Sequence, residues 1–300
     1  MPPAASVLVT GTSRGFGFLI ARTLARAGHR VFAGMRDPSG RNADRRAALL
    51  ADVAGLPGTI EVVELDVTSD ASVDRAIGAA TAASGLDVVV NNAGVAAAGV
   101  LESFTADQLR DLFDVNLFGV HRVTRAALPA LRAAGRGCLI HVSSTLGRYG
   151  IPFFGAYVAS KFALEALADA YRYELAPLGV ESVLVEPGTF PTGMLGRMVS
   201  PADPARAGGY GAQVDLMAAM GAGLEAAMSA SDAPDAQDVA DAVARLVATP
   251  AGERPPRTIV DRQAHAVVDA LNRAHDDAQA QLFGAMGLAH LLATKPTERG

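Results

Sequence analysis

The sequence predicts an α/β fold, a Rossmann-type doubly wound parallel sheet in one domain. Short runs rich in β-branched residues recur along the chain and end at Gly, Pro or Asp. Between them lie segments whose apolar residues return at helical spacing, and a glycine-rich turn joins the first run to the first such segment. Strand and helix therefore alternate. Right-handed crossovers then lay the strands parallel with helices on both faces, and the ligand crevice falls at the carboxyl ends of the strands.

Taken in order, "SVLVT" (6–10), "RVFAGM" (30–35), "TIEVVEL" (59–65), "DVVVNNA" (87–93), "GCLIHVSS" (137–144) and "VESVLVEPG" (180–188) read as buried strands, with "RTIVD" (257–261) as a short last one. Helical spacing marks "FGFLIARTLARAG", "DASVDRAIGAATAASG", one long helix over 105–135 and another over 156–177. From 189 to about 231 the chain is rich in Gly, Ala, Met and Pro without a strong period, which reads as a mobile lid. "DAQDVADAVARLVATP" returns to helical spacing, and 262–291 reads as a helical extension.

Half of the 300 residues are hydrophobic, enough for one large core. A net charge of -5 argues against a nucleic-acid or anionic-membrane partner, because phosphate surfaces are bound by clustered basic groups. Cys138 is the only cysteine, so an intrachain disulfide is impossible, and its apolar setting suits a small buried residue in a reducing compartment. No metal site is expected. Without a basic leader followed by an apolar run, and without an apolar stretch of about 20 residues, the chain reads as cytoplasmic. The long helices at 105–135 and 156–177 carry apolar residues on more than one face, so a homodimer or homotetramer is expected.

The turn "TGTSRGFG", Thr10 to Gly17, stands between the first strand and the first helix. In that place its backbone N–H groups and the positive end of the helix aim at an anion, and Gly11, Gly15 and Gly17 admit close approach. The spacing G-x-x-x-G-x-G differs from the usual dinucleotide fingerprint, and a glycine turn alone is equally compatible with ordinary loop chemistry. The second strand ends "AGMRD": Met35 takes the place of an acid that would hold the ribose of NAD, Arg36 follows, and Arg14 stands in the turn. Two guanidiniums converging on a 2′-phosphate favour NADP(H) over NAD(H). Asp37 is the competing element, since pairing with Arg36 would weaken that site.

With "LDV", "NNAG", Asn116, "VSS", "YVASK" and "PGTFPT" following the glycine turn in that order, residues 6 to about 261 resemble the short-chain dehydrogenase/reductase superfamily, in look nearest to its steroid- and retinol-type members. The resemblance implies an NADP(H)-binding catalytic domain over 1–261, with the lid at 189–231, and a C-terminal helical extension of the same domain over 262–300. It also implies the cofactor contacts: Gly11, Ser13, Arg14, Gly15, Phe16 and Gly17 at the turn, Arg36 beside it, Asp66 and Val67 at the adenine, Asn91, Ala93 and Gly94 in the central crevice, and Pro187, Gly188 and Thr192 at the nicotinamide end. Tyr157 and Lys161 join both the catalytic and the cofactor set.

The chemistry of "YVASK" follows from spacing. On a helix Tyr157 and Lys161 are i and i+4, so the ammonium is expected to stabilise phenolate and lower the phenol's pKa. Ketone reduction needs a hydride on carbon, supplied by the nicotinamide, and a proton on oxygen, supplied by Tyr157. Ser144, thirteen residues before Tyr157, matches the family's catalytic serine, with Ser143 as the rival in register; its hydroxyl would hold the substrate oxygen. In similar proteins an Asn at the place of Asn116 bends its helix and holds a water on the path from the lysine. His141 reads as a core histidine pointing with Ser143.

Substrate specificity is less legible. Phe153, Phe154, Phe190, Met194, Leu195, Met198, Val199, Leu216, Met217 and Met220 suit an adaptable apolar pocket, or merely pack the lid. The expectation is an oxidoreductase interconverting a hydrophobic ketone and its secondary alcohol. The alternative is an NADP(H)-binding sensor without turnover, which would have no need of Asn116, Ser144, Tyr157 and Lys161 together.

Overall fold

A computed structural model describes residues 4–294. Its strands are β1 (Ser6–Thr10), β2 (Arg30–Met35), β3 (Thr59–Glu64), β4 (Val88–Asn91), β5 (Gly137–Val142), β6 (Val180–Pro187) and β7 (Arg257–Val260). They form one sheet in the order β3-β2-β1-β4-β5-β6-β7, and every pairing is parallel. The order reverses between β1 and β4. At such a point the crossovers leave in opposite directions and open a crevice above the strand ends.

Both faces of the sheet are covered, which explains why the inner strands β1, β2, β4 and β5 are buried almost throughout, whereas the edge strand β3 alternates between exposed and less exposed residues. Val7 and Val9 point to one layer, with α1 (Gly15–Arg26) and α8 (Gln237–Ala248). Leu8 points to the other, among residues of α3 (Asp70–Ser84) and α5 (Gly119–Ala133). All eight residues of β6 are buried. No helix among the described residues is long and apolar enough to cross a membrane.

Three elements differ from the sequence-based expectation. A helix α2 (Ala43–Asp52) fills part of the β2–β3 connection, unmarked in the sequence because only Leu49 of it is buried. The single helix expected over 105–135 is two helices, α4 (Ala106–Phe113) and α5, joined by a π-helical turn at Asp114–Phe118. Asn116 causes the break. Its Oδ1 accepts from Val95 N–H at 2.9 Å, while Nδ2 donates to Val95 C=O at 2.8 Å and to Ser160 Oγ at 3.0 Å, so the side chain is held by backbone outside its own helix. The stretch expected as an irregular lid holds a 17-residue helix, α7 (Gln213–Ser229). None of its residues is buried, and its Ala, Gly and Met are spread around the axis, so no apolar stripe betrays it.

Two further helices complete the site's surroundings: α6 (Gly155–Leu175), and α9 (His265–Ala285) in the extension. The last residues of the extension, 295–300, lie outside the described ones. Helix α9 is fastened to the sheet edge by polar groups: Asn272 Nδ2 donates to Glu186 Oε2 at 2.7 Å, and Arg257 of β7 donates to Asp276 at 3.3 Å. Glu186 is fully buried. Replacing Asn272 by Leu leaves that carboxyl without its donor and should cost about 1–3 kcal/mol, read as a lower urea midpoint; an unchanged midpoint would show that the bond contributes nothing.

Candidate active site

The carboxyl ends of β1 and β4 are clamped together before any ligand enters. Thr10 Oγ1 accepts the N–H groups of Asn92 (3.0 Å) and Ala93 (2.9 Å), and Asn92 Nδ2 donates to Thr10 C=O at 2.8 Å and Gly11 C=O at 3.3 Å. This packing dictates glycine: a Cβ at Gly17 would stand 2.3 Å from Gly11 O and 2.5 Å from Asn92 Nδ2. Gly11 and Gly15 have positive φ of 73° and 55°, open to glycine at little cost. The first turn of α1 carries no acidic residue, and Arg14 makes no side-chain cap, so the helix N-terminus presents its N–H groups to the cavity.

One cavity of about 990 Å³ runs from this turn, over the ends of β4, β5 and β6, to the lid. Gly11, Ser13, Arg14, Gly15, Phe16, Gly17, Arg36, Asp66, Val67, Ala93, Gly94, Ser144, Tyr157, Lys161, Pro187, Gly188 and Thr192 all line it. Asn91 does not. Strand alternation turns its side chain into the core, where Nδ2 meets Thr124 Oγ1 and His141 Nδ1, each at 3.3 Å, and the cavity position expected for it belongs to Asn92. Asn116 is also off the cavity wall and buried, yet close to it: a Cβ on Gly94 would sit 3.4 Å from Asn116 Oδ1 and 3.9 Å from Lys161 Nζ. Arg41, which the sequence reading passed over, joins the lining beside Arg36. Its signal was its position, six residues past the end of β2.

The positive charge at this end is not neutralised. Among the described residues Arg14, Arg36 and Arg41 make no ion pair, and Asp37 does not pair with Arg36. Asp37 instead stands at φ 44° with Oδ2 accepting the backbone N–H of Arg41 at 2.9 Å, so its carboxylate closes a turn. Arg197 of the lid lines the same cavity, and burial together with Arg14 and Arg45 pushes its guanidinium down from its usual pKa. Like charges gathered without a counter-charge suit an anion.

At the other end, Lys161 Nζ donates to Val142 C=O at 2.9 Å and lies 5.8 Å from the centre of the Tyr157 ring. Ser144 Oγ accepts from Leu146 N–H at 3.1 Å and donates to Pro187 C=O at 3.4 Å. Burial pushes the Tyr157 phenol up to about 12, while the Ser144 hydroxyl acts in the opposite direction. The expected lowering by Lys161 is therefore overturned: desolvation outweighs it, and the ammonium is turned to a backbone carbonyl. Burial also brings Lys161 down to about 8, with Glu165 opposing. His141 is a core residue, as its strand register implied. It contacts Asn91 and, at 3.2 Å, Ser182, and burial, then Lys161, push it to about 3.

The lid end of the cavity is apolar. Phe154, Phe190, Met194, Met198 and Met220 line it, together with Leu224 and Met228 of α7, and Phe190 packs edge-on against Phe16 at 5.5 Å. Phe153, Val199, Leu216 and Met217 fall outside the lining. Phe153 has φ 66° and spends its carbonyl on Gly99 N–H at 2.7 Å, and Leu216 faces outward, 46 % exposed.

Such a sheet, an unpaired basic end of the cavity and a Ser/Tyr/Lys group above β5 together form a candidate site for an anionic ligand beside polar groups that can hold and move a proton. The family model described as short chain dehydrogenase matches residues 5–202, and the chain belongs to that family. Over 188 residues it is 37 % identical to 3-ketodihydrosphingosine reductase of Bacteroides thetaiotaomicron, covering 62 % of this chain and 64 % of that protein. The chain thus spans under two thirds of that relative's length. A short chain dehydrogenase from Burkholderia cenocepacia, solved with NADP, is 30 % identical with a TM-score of 0.67, covering 86 % of this chain and 96 % of the other. A second, from Burkholderia phymatum with NAD, shares the fold at 24 % identity and a TM-score of 0.73, covering 99 % and 98 %. Structural neighbours therefore bind either nucleotide.

Proposed function

We propose that this protein uses NADP(H) to interconvert a hydrophobic ketone and its secondary alcohol. The observation that carries the reading is the placement of Ser144, Tyr157 and Lys161 on the same cavity as the unpaired Arg14, Arg36 and Arg41. The glycine turn leaves room for a pyrophosphate against the N-terminus of α1, and the guanidiniums supply charge for a 2′-phosphate. NADPH, when bound, supplies the hydride.

The chain's own groups do the rest. The Ser144 hydroxyl holds the substrate oxygen and stabilises charge as it develops. Tyr157 gives that oxygen its proton, and burial keeps the phenol protonated at neutral pH, which suits the reductive direction. Lys161, as ammonium, stabilises the phenolate that this leaves. The side chain of Asn116 holds Val95 and Ser160, and so the π-helical turn beside Lys161. The apolar wall from Phe154 to Met228 excludes water and takes the body of the substrate. The similarity to a protein named for a ketone reductase activity supports this direction. Phe118 and Phe162, 49 % and 43 % exposed on the outer faces of the π turn and α6, support a homodimer or homotetramer built on those helices.

Tyr157→Phe should retain NADPH, seen by nucleotide fluorescence, while kcat for ketone reduction falls on the order of 10²–10⁴-fold; undiminished turnover would remove Tyr157 from the chemistry. Arg36→Asp should weaken NADPH roughly tenfold to a hundredfold and leave NADH nearly unchanged, so equal losses would contradict the phosphate site. The reductive rate should stay level below pH about 8 and decline above it, because Lys161 loses its proton there. A profile that passes through that region without a break would count against an ammonium role.

A further inference from the structure

Behind the catalytic lysine lies a set of buried charges that neither hydride transfer nor proton donation uses. Glu165 stands one helical turn after Lys161 on α6, so the two side chains leave the same face. Both are buried, Glu165 to 2 % exposure and Lys161 to 5 %. Glu165 Oε2 accepts from Arg257 Nε at 3.2 Å, and that nitrogen is 3.6 Å from Glu186 Oε1. Arg257 also donates to Asp169 at 2.5 Å and to Asp276 of α9 at 3.3 Å. Arg148 approaches Glu186 at 4.0 Å, and His275 of α9 lies 3.1 Å from Asp169.

Glu165 reaches toward the catalytic strand as well. The positions of Ser143 Oγ and Glu165 converge on Gly147, where a Cβ would stand 2.9 Å from the hydroxyl and 3.2 Å from Glu165 Oε1. Both oxygens are buried, and the Ser143 hydroxyl favours the ionised form of the Glu165 carboxyl. Glycine at 147 thus lets the carboxylate lie under the segment that carries Ser144 and the Val142 carbonyl to which Lys161 donates. Burial pushes the Glu165 carboxyl up, and the Arg257 guanidinium, then Ser143 and Arg148, act against that rise and favour its carboxylate. Burial disfavours the charged lysine and Glu165 favours it, while the neutral His141 brings no counter-charge. Glu186 is raised to about 7 by burial and by Glu165, and the Arg257 guanidinium acts against that rise.

We propose that Glu165 is a positioning residue for Lys161: its carboxylate, one helical turn along the same face and anchored by Arg257, keeps the lysine charged beside Tyr157 while Val142 C=O holds it. The proposal rests on the reading of Lys161 as the group that serves Tyr157, but it can be tested without turnover. The chain has two lysines, Lys161 and Lys295, so Lys295→Arg leaves one. Labelling that variant with lysine carrying carbon-13 at Cε gives a single side-chain resonance, and its pH titration reads Lys161 in the full chain.

Adding Glu165→Gln, which keeps the shape and removes the charge, should lower the Lys161 midpoint by about one pH unit, and Glu165→Asp should lower it less. A midpoint that stays in place or rises in Glu165→Gln overturns the proposal. Should that variant fail to fold, Glu165→Asp decides alone, because withdrawing the carboxylate by one methylene must still lower the midpoint. A lowered midpoint in a protein that turns over no ketone would support the coupling of Glu165 to Lys161 and contradict the assigned reaction, so the two failures are distinguishable.

Discussion

The site depends on the clamp between the ends of β1 and β4. A single hydroxyl, Thr10 Oγ1, takes two backbone N–H groups from the β4 loop, and the Asn92 amide returns two bonds to the β1 loop. Backbone groups at a strand end must find partners somewhere, and here each finds a side chain of the opposite loop across the switch point of the sheet. The loops therefore approach so closely that Gly17 cannot carry a side chain. From that constraint follow the direction of α1, the open N–H groups at its start and the floor against which Thr192 of the lid rests, 3.5 Å from where a Cβ on Gly15 would stand.

The second half of the site is a contest between burial and charge. Lys161 is taken out of water, which costs an ammonium several units of pKa when nothing compensates. Val142 C=O supplies a hydrogen bond and Glu165 a counter-charge, and the lysine settles near 8. Tyr157 meets the same desolvation, which raises its phenol more than the Ser144 hydroxyl lowers it, so it stays a proton donor. The two groups are thus set for opposite protonation changes from one shared environment. The C-terminal helix takes part in this arrangement, since Asn272 and Asp276 close the far side of the acidic cluster that holds Arg257.

Much of this was legible in the sequence, where the information is local. The strands are short apolar runs between breakers, the glycine turn sits between a strand and a helix, and Tyr157 and Lys161 share a helix face by spacing alone. Features decided by distant residues leave no such local mark. Asn116 stood out as a poor helix residue, but the π-helical turn follows from its bonds to Val95 and Ser160, 21 and 44 positions away. Asn91 and Asn92 are identical in type, and only the pleat at the end of β4 tells which one faces the crevice. Helix α7 has no apolar stripe to find. The Glu165–Arg257 contact spans 92 positions, and no period in the chain announces it.

The most direct measurement loads the native protein with NADPH, adds a hydrophobic ketone, and follows the near-ultraviolet absorbance of the reduced nicotinamide together with the appearance of the secondary alcohol. Loss of absorbance matched one for one by alcohol formed is the expected result. NADPH held tightly while its absorbance remains constant with every ketone tried would contradict an oxidoreductase acting on such substrates and favour a nucleotide-binding protein without turnover.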